Sequence, residues 1–300
     1  MRVLLAAMMM AVTALAGAAQ AASGPREKIL VGTTWLVANL ADPNLVILQV
    51  GDKPAYDAGH IPGARLVNLG DISAAPSGPE PLILEMLDAA TLRDRLAALG
   101  ISDTSKIVVY PTRDIQSATR VVFTLDAAGL GARTVLLDGG LGTWKAEGRA
   151  LSTEVGVVKP GKLAALKMKP LVVDAAFVKA HVGTPGYVLV DARLPEFYSG
   201  SKAGGMPTKP HKAGHIAGAK SVPFTSVTTP DLKLASAETV AAQFKAAGVK
   251  PGDTVVAYCH VGQQATAAIF AARSIGAKVL LYDGSFEEWS RLDGAVETSK

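Results

Sequence analysis

Short apolar runs alternate along the chain with longer stretches whose apolar positions recur at helical spacing. In the C-terminal half, the apolar runs in residues 187–190, 255–257 and 278–282, the last opening on Lys278, predict buried strands. Between and after them, residues 237–247 and 263–275 predict helices. The N-terminal half has the same rhythm, with strands predicted at 45–50, 107–110 and 134–137 and helices at 84–99 and 117–128. Strands that are apolar on both faces, joined by helices, predict an α/β fold with a mostly parallel central sheet covered by helices on both faces.

The two halves are copies of one unit. Asp138-Gly139 followed by Trp144 recurs as Asp283-Gly284 followed by Trp289, and Gly59-His-Ile recurs as Gly214-His-Ile. The offset between the copies grows just before that last element, which places a 13-residue insertion at residues 201–213, a surface loop by its glycines and prolines. Self-similarity over this length means a duplicated domain, not a solenoid. The expected divisions are a first domain over 28–150, a linker over 151–170 containing Pro160-Gly161 and Pro170, and a second domain over 171–298.

The first residues belong to neither copy. Arg2 precedes an apolar stretch over 3–18, and Ala19-Gln-Ala21 fits a small-x-small cleavage site, so residues 1–21 are expected to be an export signal. A periplasmic or secreted chain with no membrane attachment after cleavage is the expectation. Composition adds little beyond this. A net charge of +4 with 5% aromatic residues gives no basis for nucleic-acid binding. His211 and His215 have i,i+4 spacing, but Pro210 and Gly214 argue against a helix, so no metal site is expected, nor any cofactor.

The chain holds one cysteine, Cys259, so no internal disulfide can form and the thiol is a candidate reactive group. It follows the strand at 255–257 and precedes the helix at 263–275, with Gly262 between. A strand-to-helix turn of that kind directs backbone N–H groups and a helix N-terminus at the sulfur, which favours the thiolate. A phosphatase of the Cys-x5-Arg type is disfavoured, because Ala265 stands where the arginine would be.

Four segments, Asp191-Ala-Arg193 with Glu196, Gly214-His-Ile216, Cys259-His-Val-Gly-Gln-Gln264 and Tyr282-Asp-Gly-Ser-Phe-Glu-Glu-Trp289, occur in an order that resembles the tandem-domain rhodaneses, the thiosulfate and 3-mercaptopyruvate sulfurtransferases. The resemblance implies two tandem rhodanese-like domains and a double displacement. Cys259 would take a sulfane sulfur as a persulfide and pass it to a thiophilic acceptor, cyanide or a thiol. It further implies that the loop residues His260, Val261, Gly262, Gln263 and Gln264 hold the sulfur and the departing anion. Arg193 would bind the donor anion or, alternatively, pair with Asp191 or Glu196. Asp191, Glu196 and His215 would be structural.

Thiosulfate is the expected donor, because His260 could become partly cationic and the loop lacks hydroxyl residues. 3-Mercaptopyruvate, or a role as a non-catalytic persulfide carrier, is the alternative. In the first copy the family's aspartate and arginine positions are Gln49 and Gly51, and the loop Tyr110-Pro-Thr-Arg-Asp-Ile-Gln-Ser117 has no thiol. That copy is expected to be a structural partner walling a cleft, with Arg113 adding positive charge. A monomer is expected, since two domains already make a cleft.

Overall fold

Two five-stranded parallel sheets carry the chain, described in a computed structural model over residues 24–206 and 209–299. The expected export segment lies outside the described residues. The first sheet has the order β1-β5-β4-β2-β3, built from β1 (Leu30–Val31), β2 (Leu45–Val50), β3 (Ala64–Val67), β4 (Lys106–Pro111) and β5 (Thr134–Leu137). Its helices are α1 (Thr33–Asn39), α2 (Lys53–Asp57), α3 (Ala89–Ala98), α4 (Ile115–Ala127) and α5 (Gly140–Ala146).

The second sheet repeats that order as β6-β13-β12-β7-β11. Its strands are β6 (Val172–Val173), β7 (Tyr187–Asp191), β11 (Lys220–Ser221), β12 (Thr254–Tyr258) and β13 (Lys278–Tyr282). Around it lie α6 (Ala175–His181), α7 (Pro195–Ser199), α8 (Ala237–Ala246), α9 (Gln264–Ser274) and α10 (Ser285–Trp289). The insertion folds into a small hairpin, β8 (Gly205–Met206) with β9 (Lys209–Pro210), and β10 (His215–Ile216) pairs antiparallel with β14 (Val296–Glu297).

One expectation needs correction. The helix expected over 84–99 begins only at Ala89. Leu84 adopts φ 63°, and residues 73–74 and 85–86 pair through an antiparallel bridge between Ser73 and Met86. Asp88 then caps the helix, its carboxylate accepting the N–H groups of Ala90 and Thr91 at 3.0 Å. The apolar residues before the cap serve an extended segment that packs on the core, which periodicity alone could not distinguish from helix.

Each sheet has an outer face with its own core, around Leu36, Tyr56 and Trp144 in the first domain and Val178, Phe286 and Trp289 in the second. The inner faces share a single core. In it α4 packs against α9, and the hydroxyls of Thr119 and Thr266 meet at 3.0 Å, fully buried. A helix at such a junction is apolar nearly all round, as α4 is over Val121, Val122, Phe123 and Leu125. Residues 153–170 have no regular secondary structure and run along the first domain, where Gly161 N donates to Ala97 O at 2.8 Å and Lys169 N to Ala127 O at 2.7 Å. Among the described residues no helix is long and apolar enough to cross a membrane.

Candidate functional site

The parallel order brings the carboxyl ends of β7 and β12 side by side, with Tyr258 in register with Asp191. Cys259 is the next residue, free and fully buried. Its own backbone is held from beneath by α10. Ser285 Oγ accepts the Cys259 N–H at 3.2 Å, while Phe286 N and Glu287 N donate to the carbonyls of Cys259 and His260 at 3.0 Å. Ser285 adopts φ 52°, a left-handed conformation that turns its hydroxyl back under the cysteine. These residues lie in a motif visible in the sequence, yet nothing there marked Ser285 as the support of the thiol.

From Cys259 the chain turns through Gly262, at φ 74°, into α9. The N–H groups of Ala265, Val261 and Gln264 converge on the sulfur and favour its thiolate. Ala265 was not among the expected loop donors. Burial nevertheless dominates and pushes the thiol above its ordinary value, with the Asp191 carboxylate adding to the shift. The turn's N–H groups thus act in the expected direction, and burial of the sulfur opposes them. The side chain of Gln263 points elsewhere, donating through Nε2 to Ser117 Oγ of the first domain at 2.7 Å.

Arg193 is 1% exposed, a number that settles its geometry. Nε reaches both Asp191 oxygens at 3.0 and 3.1 Å, Nη2 reaches Asp191 Oδ2 at 2.5 Å and the Gly214 carbonyl at 2.7 Å, and the guanidinium lies 3.9 Å from the Phe286 ring centroid. This is the ion-pair alternative, and it makes Arg193 a buried strut between two loops. Tyr258 OH donates to Asp191 Oδ2 at 2.8 Å and accepts the Ile216 N–H at 3.0 Å, closing the same network. Glu196 takes no part in it. Its carbonyl accepts from Lys202 N and from the hydroxyls of Ser199 and Ser201, which orders the start of the insertion. His215 stacks on Tyr198 at 3.8 Å, with Nδ1 at 2.7 Å from the Tyr198 carbonyl.

The insertion packs on the site. At Gly204 a Cβ would fall 2.6 Å from the His260 ring, so the hairpin backbone lies directly on that imidazole. His211, weighed in the sequence only as a metal ligand, is buried with its ring 5.7 Å from His260 and its Nε2 3.3 Å from Glu287. Lys209 reaches across to Glu80 of the first domain at 3.0 Å. Burial, then Arg193 and His211, push His260 down to about 4, and burial also lowers His211. His260 is thus neutral near pH 7, which removes the partial positive charge expected beside the thiol. Arg113, expected to add charge to a cleft, is exposed and paired with Asp52 at 2.7 Å.

Two cavities, of about 480 and 430 Å³, are not lined by Cys259. One is an apolar groove beside Phe244 and Ile275, and the other is lined by Glu85, Asp174 and Glu288. Neither is lined by a thiol. No group of residues suited to a metal ion occurs among the described residues.

The family described as Rhodanese-like domain matches twice, over residues 32–147 and 174–292. A probable 3-mercaptopyruvate sulfurtransferase of Pseudomonas aeruginosa is 34% identical over 87% of this chain and 94% of its own length. The sulfur carrier protein TtuD of Thermus thermophilus is 29% identical over 89% and 95%, and a putative thiosulfate sulfurtransferase of Mycolicibacterium smegmatis 31% identical over 90% and 97%. The crystal structure of YnjE matches with a TM-score of 0.80 and 26% identity, over 92% of this chain and 70% of that one.

Proposed function

The chain belongs to the rhodanese-like domain family, and from that premise we propose that it is a sulfurtransferase whose reacting atom is Cys259 Sγ. One observation carries the reading: the only thiol lies at a strand's carboxyl end with the N–H groups of Val261, Gln264 and Ala265 turned toward it. In the first half-reaction the Cys259 thiolate attacks the outer sulfur of thiosulfate. The sulfur–sulfur bond of the donor breaks, sulfite leaves with the electron pair, and a cysteine persulfide remains. In the second, cyanide or a thiolate attacks the terminal sulfur and Cys259 leaves as thiolate. The loop N–H groups stabilise the anionic sulfur in both steps.

Thiosulfate suits this site because sulfite departs without needing a proton. No hydroxyl occurs among residues 260–264, and neutral His260 is a poor acid. 3-Mercaptopyruvate is the second reading. Its support is the absence of a free cation beside the thiol, where Arg193 is already paired, together with the Pseudomonas aeruginosa relative. A carrier that delivers its persulfide only to a partner protein uses the same thiol, and the likeness to the Thermus thermophilus carrier supports it.

The test is intact mass after incubation of the protein with each donor, followed by cyanide and a thiocyanate assay. Gain of one sulfur from thiosulfate, its discharge by cyanide and its absence in Cys259→Ala are expected. Gain from 3-mercaptopyruvate alone would move the donor to the second reading, and discharge only to a protein would favour the carrier. No gain from any sulfane donor would refute sulfur transfer. We further propose that residues 1–21 direct export and that the working enzyme is a monomer of domains 28–150 and 171–298. N-terminal sequencing of the periplasmic fraction and its mass in solution check both.

A further inference from the structure

The inner helix of the domain without a thiol carries an arginine that reaches the loop of the other domain. Arg120 of α4 is 1% exposed. Its Nη1 donates to Asp283 Oδ1 at 2.5 Å and to the Gly262 carbonyl at 3.2 Å, and its Nη2 to Asp283 Oδ2 at 3.3 Å and to the Leu84 carbonyl. Asp283 Oδ2 also accepts the Met86 N–H at 2.9 Å, so the pair ties three segments together. Gly262 is the middle of the loop that curls around the sulfur. A Cβ there would fall 2.7 Å from Asp283 Oδ1 and 2.8 Å from Arg120 Nη1, so the ion pair is packed directly against the loop backbone.

The duplication shows that the fold does not require this arginine. The paired hydroxyls of Thr119 and Thr266, 147 residues apart, set α4 and α9 in register, and the residue after Thr266 is Ala267 where α4 has Arg120. The aspartate equivalent to Asp283 is Asp138, and it makes the matching cross-domain bond, accepting Leu234 N at 2.9 Å. The arginine near it, Arg26, spends its guanidinium on the carbonyls of Ala235 and Leu234 and holds no loop peptide of the first domain. The extra contact exists only on the side that has a thiol.

We propose that Arg120 is a positioning residue for the sulfur loop. It is supplied by the domain without a thiol, and it fixes the Gly262 peptide so that the neighbouring N–H groups of Val261, Gln264 and Ala265 converge on Cys259. Without it the carbonyl loses a buried donor, the loop peptides turn, and the thiolate loses part of its stabilisation. The claim for transfer rests on the Cys259 reading above, whereas the claim for the thiol's titration does not.

Because Cys259 is the only cysteine, alkylation by iodoacetamide reports that thiol alone. Its pH midpoint, the rate of persulfide formation from thiosulfate and the Tm are measured in Arg120→Met and in Arg120→Met/Asp283→Leu. The double variant removes the unpaired carboxylate and leaves no donor facing Gly262. In Arg120→Met the midpoint is expected to rise by about one pH unit and the rate to fall about tenfold, alongside a lower Tm. In the double variant Tm recovers most of its loss while the midpoint and rate do not. Recovery of all three would make Arg120 only the counter-charge of Asp283 and overturn the proposal, as would an unchanged midpoint in both variants. If the single variant does not fold, the double variant decides. If the wild-type protein takes up no sulfur but the midpoint shifts as stated, sulfur transfer falls and the positioning role stands.

Discussion

The two domains share a skeleton and differ in chemistry, and the division between the two sets of residues is sharp. Tyr110 and Tyr258 both accept a backbone N–H from the Gly-His-Ile turn, from Ile61 at 3.1 Å and Ile216 at 3.0 Å. His60 and His215 both stack on a tyrosine, and Trp144 and Trp289 each donate to a carbonyl six residues on. Where Tyr258 donates to Asp191, which is paired with Arg193, Tyr110 donates at 2.6 Å to Gln49, whose Nε2 has no partner. Gly51 then takes the place of the arginine, and Pro111 follows Tyr110 where Cys259 follows Tyr258. Residues kept in both copies hold turns and cores. Residues kept only in the second surround the sulfur.

The strongest attempt to erase this difference is to move the thiol. Cys259→Ala is expected to abolish persulfide formation, and adding Pro111→Cys to that variant is expected not to restore it, as intact mass after thiosulfate will show. In the first domain Asp114 caps α4 on Ser117 N at 2.7 Å, which places a carboxylate at the helix end where an anionic sulfur would need donors.

Next in size is the charge network. Arg193→Met leaves Asp191 charged, buried and without its partner, at a cost of about 3–5 kcal/mol in urea unfolding. Gln49→Met in the first domain, which removes a neutral bond to Tyr110, costs about 1–3 kcal/mol. Equal losses would mean that the two networks are equivalent after all.

The third test uses acid. The folded-state value of His260 lies near 4, below the ordinary 6.5, because burial penalises the imidazolium. Its contribution is therefore complete above about pH 6.5 and is lost as pH falls toward 4. Glu85, pushed up to about 7 by burial and by Asp283, contributes in the opposite sense, since its share is complete below about 4.5 and is lost as pH rises through 7. The difference between wild type and His260→Gln isolates the histidine and is expected to shrink by about 3 kcal/mol from pH 7 to pH 4. The first domain has Thr112 in the corresponding stretch and no such dependence. The smallest effect is expected at Arg113: with its exposed partner Asp52, Arg113→Ala should leave the transfer rate and Tm unchanged.

Much of this was legible in the amino-acid sequence, because a duplication displays the same core pattern twice. Strand and helix positions followed from the period of apolar residues, and Cys259 stood out as a thiol at a strand end. Leu84 to Leu87 misled because apolar residues serve an extended segment as well as a helix. Arg120 was hidden because an arginine inside an apolar helical pattern carries no sign of what it faces across a domain junction. The same holds for His211 and Glu287, which meet only when the inserted hairpin folds back on α10. The titration of the thiol was beyond pattern altogether, since it depends on how completely the site is closed.

The shared inner core has a thermodynamic consequence. Since α4 and α9 bury their faces against each other, neither domain can unfold without exposing the other's interior to water. Melting is accordingly expected as one transition, with calorimetric and van't Hoff enthalpies in agreement. The copy without a thiol is then no spare part: discarding it would open the interior of the copy that has one.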